Sequence, residues 1–344
     1  MKTKITELFG IKYPIILPGM SWISTPELVA AVCNAGGIGW LATGPLSVEE
    51  TRKSIERIRE LTDKPFGAGA TLLMPGAKEN AELMLEMEVP VINVSLGKCD
   101  WIAERAQKYN GKVIQTVVNL KHAHAAQKYG ADAVQLTGNE AAAHGGDVTT
   151  FCLIPAAKEQ LDIPVVAIGG IADGKGMAAA LALGADGVGM GTRLATTTES
   201  PLHDITKKAH VDASVDDTLF SNRFDGLWCR VLNTPSSRKS IKQGMNLFKA
   251  ALVGPRIAKD LNLPLMKVML GIMAEPQKMT TLAHMATAFD KIKAATADGD
   301  FKKGVGLVGQ CTGIIHDIPT CKEVIDRTVK EAKAVSKNLA ATIK

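Results

Sequence analysis

Two consecutive apolar runs, each breaking into a glycine turn, constrain this chain more than any other feature. Pro164-Val-Val-Ala-Ile168 opens into Gly169-Gly170-Ile-Ala-Asp-Gly174, and one helix-length segment later Ala185-Asp-Gly-Val-Gly-Met190 opens into Gly191-Thr192-Arg193. Two short apolar strands joined by a helix form a parallel βαβ unit, so both turns fall at the carboxyl edge of one sheet. Glycine there lets backbone N–H groups close on an anion, and a following helix N-terminus adds a favourable dipole. In an eight-fold barrel this is where the loops after strands 7 and 8 hold a phosphate.

Six further strand candidates precede the pair: Pro14–Leu17, Gly37–Ala42, Pro65–Thr71, Val89–Leu96, Val113–Val118 and Ala133–Leu136. Each lacks polar alternation, as expected of strands covered on both faces. Helical stretches separate them at Thr25–Asn34, Ser47–Thr62, Lys78–Met87, Asp100–Tyr109, Leu120–Tyr129 and Thr150–Gln160. Ser47 with Glu50 three residues on reads as a capping box. Strand starts recur at roughly 20–30 residues, the size of a βα unit. Helix ends such as Asn34-Ala-Gly-Gly37 and Leu183-Gly-Ala-Asp186 place Gly just past a helix. The expected fold is α/β, a (β/α)8 TIM barrel over residues 1–202.

Residues 203–310 read differently, as a mostly helical lobe over the barrel mouth, and 311–344 as a C-terminal helix (from Ile318) packing back on the barrel. The lobe contains a Met-rich stretch (Met266, Met269, Met273, Met279, Met285) broken by Pro264 and Pro276. Met suits an irregular apolar core or the lining of an apolar pocket. Gly304-Val-Gly306-Leu-Val-Gly309 matches the dinucleotide fingerprint literally, but it follows the turn Asp298-Gly-Asp and no strand, so the dinucleotide-fold reading fails.

Composition narrows the function classes. The net charge is +5, without a block of like charges, and aromatics are only 4%. That disfavours nucleic-acid binding by a basic stripe or stacking platform. No apolar run is long enough for a membrane span and no signal-peptide pattern opens the chain, so a cytoplasmic enzyme is expected. The six cysteines show neither Cys-x-x-Cys nor metal-ligand spacing, and no metal is expected.

The second constellation is Thr137-Gly-Asn-Glu-Ala-Ala-Ala-His144-Gly-Gly-Asp147, leaving the carboxyl end of strand 6. A His on that face, flanked by small residues, has room beside it for a flat ring or substrate. It could act as general base or hydrogen-bond donor near neutral pH.

Taken together, Tyr13 through Trp22, Pro65-Phe66-Gly67 with Thr71, Glu140 through Gly146, Ala167–Gly176, Met190-Gly-Thr-Arg193 and Gly309-Gln310 resemble the nitronate monooxygenase (2-nitropropane dioxygenase) family. Its relatives include NAD(P)H:quinone reductases and flavin-type enoyl-acyl-carrier-protein reductases. The resemblance implies FMN in the barrel mouth. Gly19, Met20 and Ser21 would line the isoalloxazine with Thr71 nearby, and Gly169, Gly170, Gly191 and Thr192 would bind the phosphate. His144 would match the active-site His. Thr116 stands where several relatives carry a flavin-contacting Lys, and Ala142-Ala143 where Gly-Gly or Ala-Gly is common.

The implied activity is oxidation of alkyl nitronates, or of nitroalkanes after proton removal by His144, with O2 giving a carbonyl compound and nitrite. The partner set is a small apolar or anionic substrate with O2 or quinone as acceptor, and the resemblance allows a homodimer. The alternative is an NAD(P)H-dependent quinone or enoyl reductase on the same barrel. An inosine-monophosphate-dehydrogenase-like reading needs a Cys after strand 6, where Thr137-Gly-Asn-Glu stands. A Schiff-base aldolase needs a Lys at a strand end, which no proposed strand supplies. A flavin-binding protein without catalysis would leave His144 idle.

Overall fold

A computed structural model describes residues 1–74, 76–142, 144–244, 255 and 276–343. Eight parallel strands close into a barrel in sequence order: β1 (Ile15–Leu17), β2 (Ile38–Ala42), β3 (Gly67–Thr71), β4 (Val91–Ser95), β5 (Lys112–Val117), β6 (Ala133–Thr137), β7 (Val165–Ile168) and β8 (Gly187–Gly189). Ile15 pairs with Val188 and Ile16 with Gly189, which seals the seam between first and last strand. Seven helices fill the crossovers: α2 (Pro26–Asn34), α3 (Val48–Leu61), α4 (Ala77–Glu86), α5 (Asp100–Ala106), α6 (Leu120–Lys128), α7 (Thr150–Lys158) and α8 (Gly174–Ala182). Each expected strand and helix is present, shifted by a few residues at most. Ser47 and Glu50 cap α3 reciprocally, as their spacing predicts.

The barrel floor was not legible in advance. A short helix, α1 (Lys4–Phe9), tucks Ile5 and Phe9 beneath the strands, and Phe9 meets Trp40 edge-on at 5.8 Å. Trp40 is fully buried; its indole N–H donates to Gln135 Oε1 at 3.1 Å, and its ring occupies the space a side chain at Gly67 would need. The floor therefore rests on an aromatic pair whose one polar atom is satisfied.

Beyond β8 come α9 (Gly191–Ala195), α10 (Asp204–Asp212), an antiparallel hairpin of β9 (Thr218–Ser221) and β10 (Cys229–Leu232), α11 (Pro235–Gln243) and α12 (Pro276–Ala297). The hairpin departs from the expected helical lobe. Its strands are four residues each, too short for an alternation pattern to show. Phe224, Cys229, Val231, Ala288 and Val305 form the lobe's own small core. Met285 is buried, while Met266, Met269 and Met273 lie outside the described residues and nothing is described of the Met279 side chain.

The last helix, α13 (Cys321–Thr342), starts later than Ile318 because Pro319 precedes a Thr320–Glu323 capping box. Its buried face (Val324, Ile325, Val329, Ala332) joins the barrel core, and it lies so close on α8 that a Cβ on Gly174 would meet Thr328 and Ala332 backbone at 2.4 Å. Among the described residues no helix is long and apolar enough to cross a membrane.

Candidate active site

The barrel mouth and the lobe enclose a cavity of about 320 Å³. Every site residue expected from sequence lines it: Gly19, Met20, Ser21, Thr71, Thr116, His144, Gly169, Gly170, Gly191 and Thr192. Strand direction explains why, since all eight carboxyl ends open to the same face.

At the glycine end, Gly169 and Gly170 both hold positive φ (114° and 76°), a region closed to most side chains. Gly191 opens α9 with ordinary φ, and a Cβ there would lie 3.4 Å from Pro18 and 3.6 Å from the Met20 sulfur. Those are ordinary contacts, so the left-handed argument applies to the first turn and not to the second. Thr192 Oγ1 accepts the Gly309 N–H at 3.0 Å, which brings the Gly304–Gly309 segment into this end as an extended strap. Gly309 closes the GxGxxG match, whose spacing points at the wrong chemistry.

Glu140 also lines this end, yet its carboxylate is spoken for. It accepts from the Thr150 N–H (3.0 and 3.1 Å) and from Thr150 Oγ1 (3.0 Å), at the positive end of α7. The Arg193 guanidinium turns away to Asp317 (2.9 Å) and to the Thr196 and Asp317 carbonyls. Among the described residues the cavity wall holds no Lys or Arg. The Thr116 slot is no exception: its hydroxyl accepts from Gln135 (2.7 Å) and Asn93 (2.9 Å), and the Asn93 oxygen lies within 3.3 Å. Thr116 thus completes a polar layer across the barrel instead of replacing the missing cation.

At the other end His144 meets a partner that sequence reasoning missed. Its Nε2 lies 2.7 Å from Asp225 Oδ2. Asp225 is buried, and its other oxygen accepts the Leu227 N–H at 3.0 Å. A carboxylate at Nε2 fixes the tautomer: Nε2–H donates, and Nδ1 keeps the lone pair. Nothing in the spacing ties residue 144 to 225; the signal exists only once the hairpin folds over the mouth.

The buried Arg230 makes that fold-over specific. It donates through Nε and Nη2 to the Asn139 carbonyl (3.2 and 2.9 Å), through Nη2 to Asn139 Oδ1 (2.8 Å) and through Nη1 to Thr218 Oγ1 (3.0 Å). Its own N–H reaches the Ala142 carbonyl at 3.0 Å, so the loop carrying His144 is strapped to β10 by backbone and side chain together. Cys229 and Cys311 line the cavity too. Burial pushes both thiols up, Cys311 to about 11 with Thr192 opposing, so they stay protonated and offer no nucleophile.

The nitronate monooxygenase family model matches residues 2–86 and 74–331. This chain belongs to the nitronate monooxygenase family. Within it, similarity runs in two directions. The chain is 34% identical over 342 residues, 96% of each protein, to (3aS,4S,5R,7aS)-5-hydroxy-7a-methyl-1-oxo-octahydro-1H-indene-4-carboxyl-CoA dehydrogenase of Mycobacterium tuberculosis. It is 30% identical over 278 residues, 67% of this chain and 78% of the relative, to a probable nitronate monooxygenase of Staphylococcus aureus.

Among solved structures, FabK from Thermotoga maritima superposes with a TM-score of 0.84 at 34% identity, covering 99% of both chains. A nitroalkane oxidase from Streptomyces ansochromogenes gives 0.77 at 25% identity, covering 98% of this chain and 100% of that one. Like these relatives, this member of the nitronate monooxygenase family is an oxidoreductase.

Proposed function

We propose that this protein is an FMN-dependent oxidoreductase that oxidises nitroalkanes and alkyl nitronates with O2 to a carbonyl compound and nitrite. The observation that carries the reading is the His144–Asp225 pair in the cavity wall. A neutral substrate must lose a proton from the carbon beside its nitro group, and His144 Nδ1 is the base placed to take it. Asp225 stabilises the imidazolium that results and holds the ring through Nε2. Trp22 from the β1 loop packs edge-on against Phe289 of α12 at 5.2 Å, an apolar pair on the cavity wall. Among the described residues the wall offers no fixed cation to a preformed nitronate, which favours the neutral acid as the form that binds.

The residues fit FMN. Gly170, with its positive φ, and Gly191, where α9 opens, line one end of the cavity and would cradle a phosphate with donors from backbone. When bound, FMN supplies the two-electron redox chemistry and passes electrons on to O2 or a quinone.

A second reading is favoured by the likenesses to the indene-carboxyl-CoA dehydrogenase and to FabK, which cover nearly the whole of each chain where the staphylococcal match covers less. A thioester also acidifies its neighbouring carbon, so the same pair would serve a dehydrogenase or, run backward with NAD(P)H, an enoyl reductase. Anaerobic titration of the purified protein separates the two. Bleaching of a bound flavin by nitroalkane and nitronate supports the first reading. Bleaching only by NADH, NADPH or a saturated acyl-CoA replaces it with the second, and a protein that retains no flavin on reconstitution overturns both.

A further inference from the structure

One buried polar group in the cavity takes no part in the chemistry above. His210 is 2% exposed, sits one turn beyond Thr206 on the inner face of α10, and lines the cavity with Thr192 and Cys311. Its Nδ1 lies 2.9 Å from Thr196 Oγ1, while Nε2 has no hydrogen-bond partner among the described residues. Buried polar atoms in native folds are nearly always paired, so an unpartnered one in a side chain that lines a cavity marks a partner still to be supplied.

The neighbouring bonds decide what kind of atom. Thr196 Oγ1 donates its single proton to the Thr192 carbonyl at 2.8 Å, one turn back along α9. It therefore has only lone pairs to offer Nδ1, which must carry the imidazole proton. Burial, with the Arg193 charge adding to it, pushes His210 down to about 4, so the ring is neutral and Nε2 is an acceptor. A phosphate oxygen brings no proton to such an atom; a hydroxyl does.

We infer that His210 Nε2 accepts a hydrogen bond from a ribityl hydroxyl of the bound flavin. The placement rests on the fold, because Thr196 ties His210 (2.9 Å) to the Thr192 carbonyl (2.8 Å), and a flavin whose phosphate sat on that turn would have the imidazole in its neighbourhood. The inference rests on the FMN reading above and adds a side chain to a site otherwise built from backbone.

The test is a flavin series on the full-length protein stripped of cofactor. FMN, riboflavin, which keeps the ribityl hydroxyls without phosphate, and lumiflavin, which has neither, are titrated by fluorescence quenching. His210→Phe keeps the ring shape and removes Nε2, and should weaken FMN and riboflavin equally, by about tenfold, with lumiflavin unchanged. His210→Gln, which returns an acceptor near the same place, should recover most of that loss. A loss confined to FMN would mean a phosphate contact and overturn the inference. So would an equal loss for lumiflavin, which would mean general repacking, or unchanged affinity throughout, which would mean that Nε2 is met by water. Failure of the wild type to bind FMN would instead remove the cofactor reading itself.

Discussion

The two ends of the cavity are built from different materials. The glycine end is backbone: two turns at consecutive strand ends, positive φ at Gly169 and Gly170, and helix starts close behind. The histidine end is side chain: His144 from the β6 loop, Asp225 from the hairpin, and Arg230 bridging the two. A backbone site depends on what a residue lacks, so substitutions there damage it by adding atoms or forbidding a conformation. A side-chain site depends on what distant residues bring, so substitutions there damage it by subtraction. The first should fail in cofactor retention and the second in turnover.

The largest effect should come from His144→Ala. Turnover of a neutral nitroalkane should fall by about 10²–10⁴, the usual contribution of a positioned base, while flavin content and nitronate oxidation stay largely intact. Equal losses on both substrates would show that His144 acts on a shared step, and the contrast between the two ends would weaken.

Gly170→Val probes the other end. A Cβ there has ordinary room beside Glu140 (3.6 Å), so the penalty is conformational, from φ +76°. A strained residue costs about 1–3 kcal/mol, which should lower flavin affinity roughly 5- to 150-fold with the barrel still folded, as read by flavin release and circular dichroism. A variant that keeps a full complement of tightly held flavin would detach the cofactor from this turn.

Asp225→Asn should be milder than loss of His144. It exchanges a charge-assisted bond of ~1.5–3 kcal/mol for a neutral one and should reduce nitroalkane turnover roughly 10- to 100-fold. An unchanged turnover would show that Asp225 neither orients the His144 ring nor supports its charge.

The smallest expected effect concerns His210. Its folded pKa lies near 4, below the ordinary value of about 6.5, so the unfolded chain binds the extra proton first. Its contribution to stability is complete above pH 6.5 and is lost as pH falls toward 4. Melting temperature should decline over that window, and His210→Phe should flatten the decline. An unchanged slope would mean that other groups dominate acid unfolding.

What could be read from sequence follows the same division. Strand order, the glycine turns and the Ser47 cap are local patterns, carried by neighbours within a few residues. The position of His144 at the mouth is also local, because β6 ends seven residues earlier and strand polarity does the rest. Its partner is not local. Asp225 sits in a turn between strands too short to announce themselves, and residue 144 meets residue 225 only through the Arg230 strap. The GxGxxG match misled for the related reason that a motif states spacing and not setting: Gly309 bonds to Thr192 on the turn that follows a different strand.

The C-terminal helix gives this architecture an order in time. During synthesis the eight strands emerge first, but α8, whose start follows the Gly169-Gly170 turn, has its Gly174 N–H capped by Glu331 of α13 at 2.8 Å. Thr192 waits for Gly309, and the Glu140 carbonyl waits for the Gln310 N–H at 2.9 Å. A ribosome must therefore release residues beyond 330 before the glycine end is fully tied down. A chain that ends short of α13 would leave the Gly174 N–H without its Glu331 cap and the start of α8 without the helix that covers it.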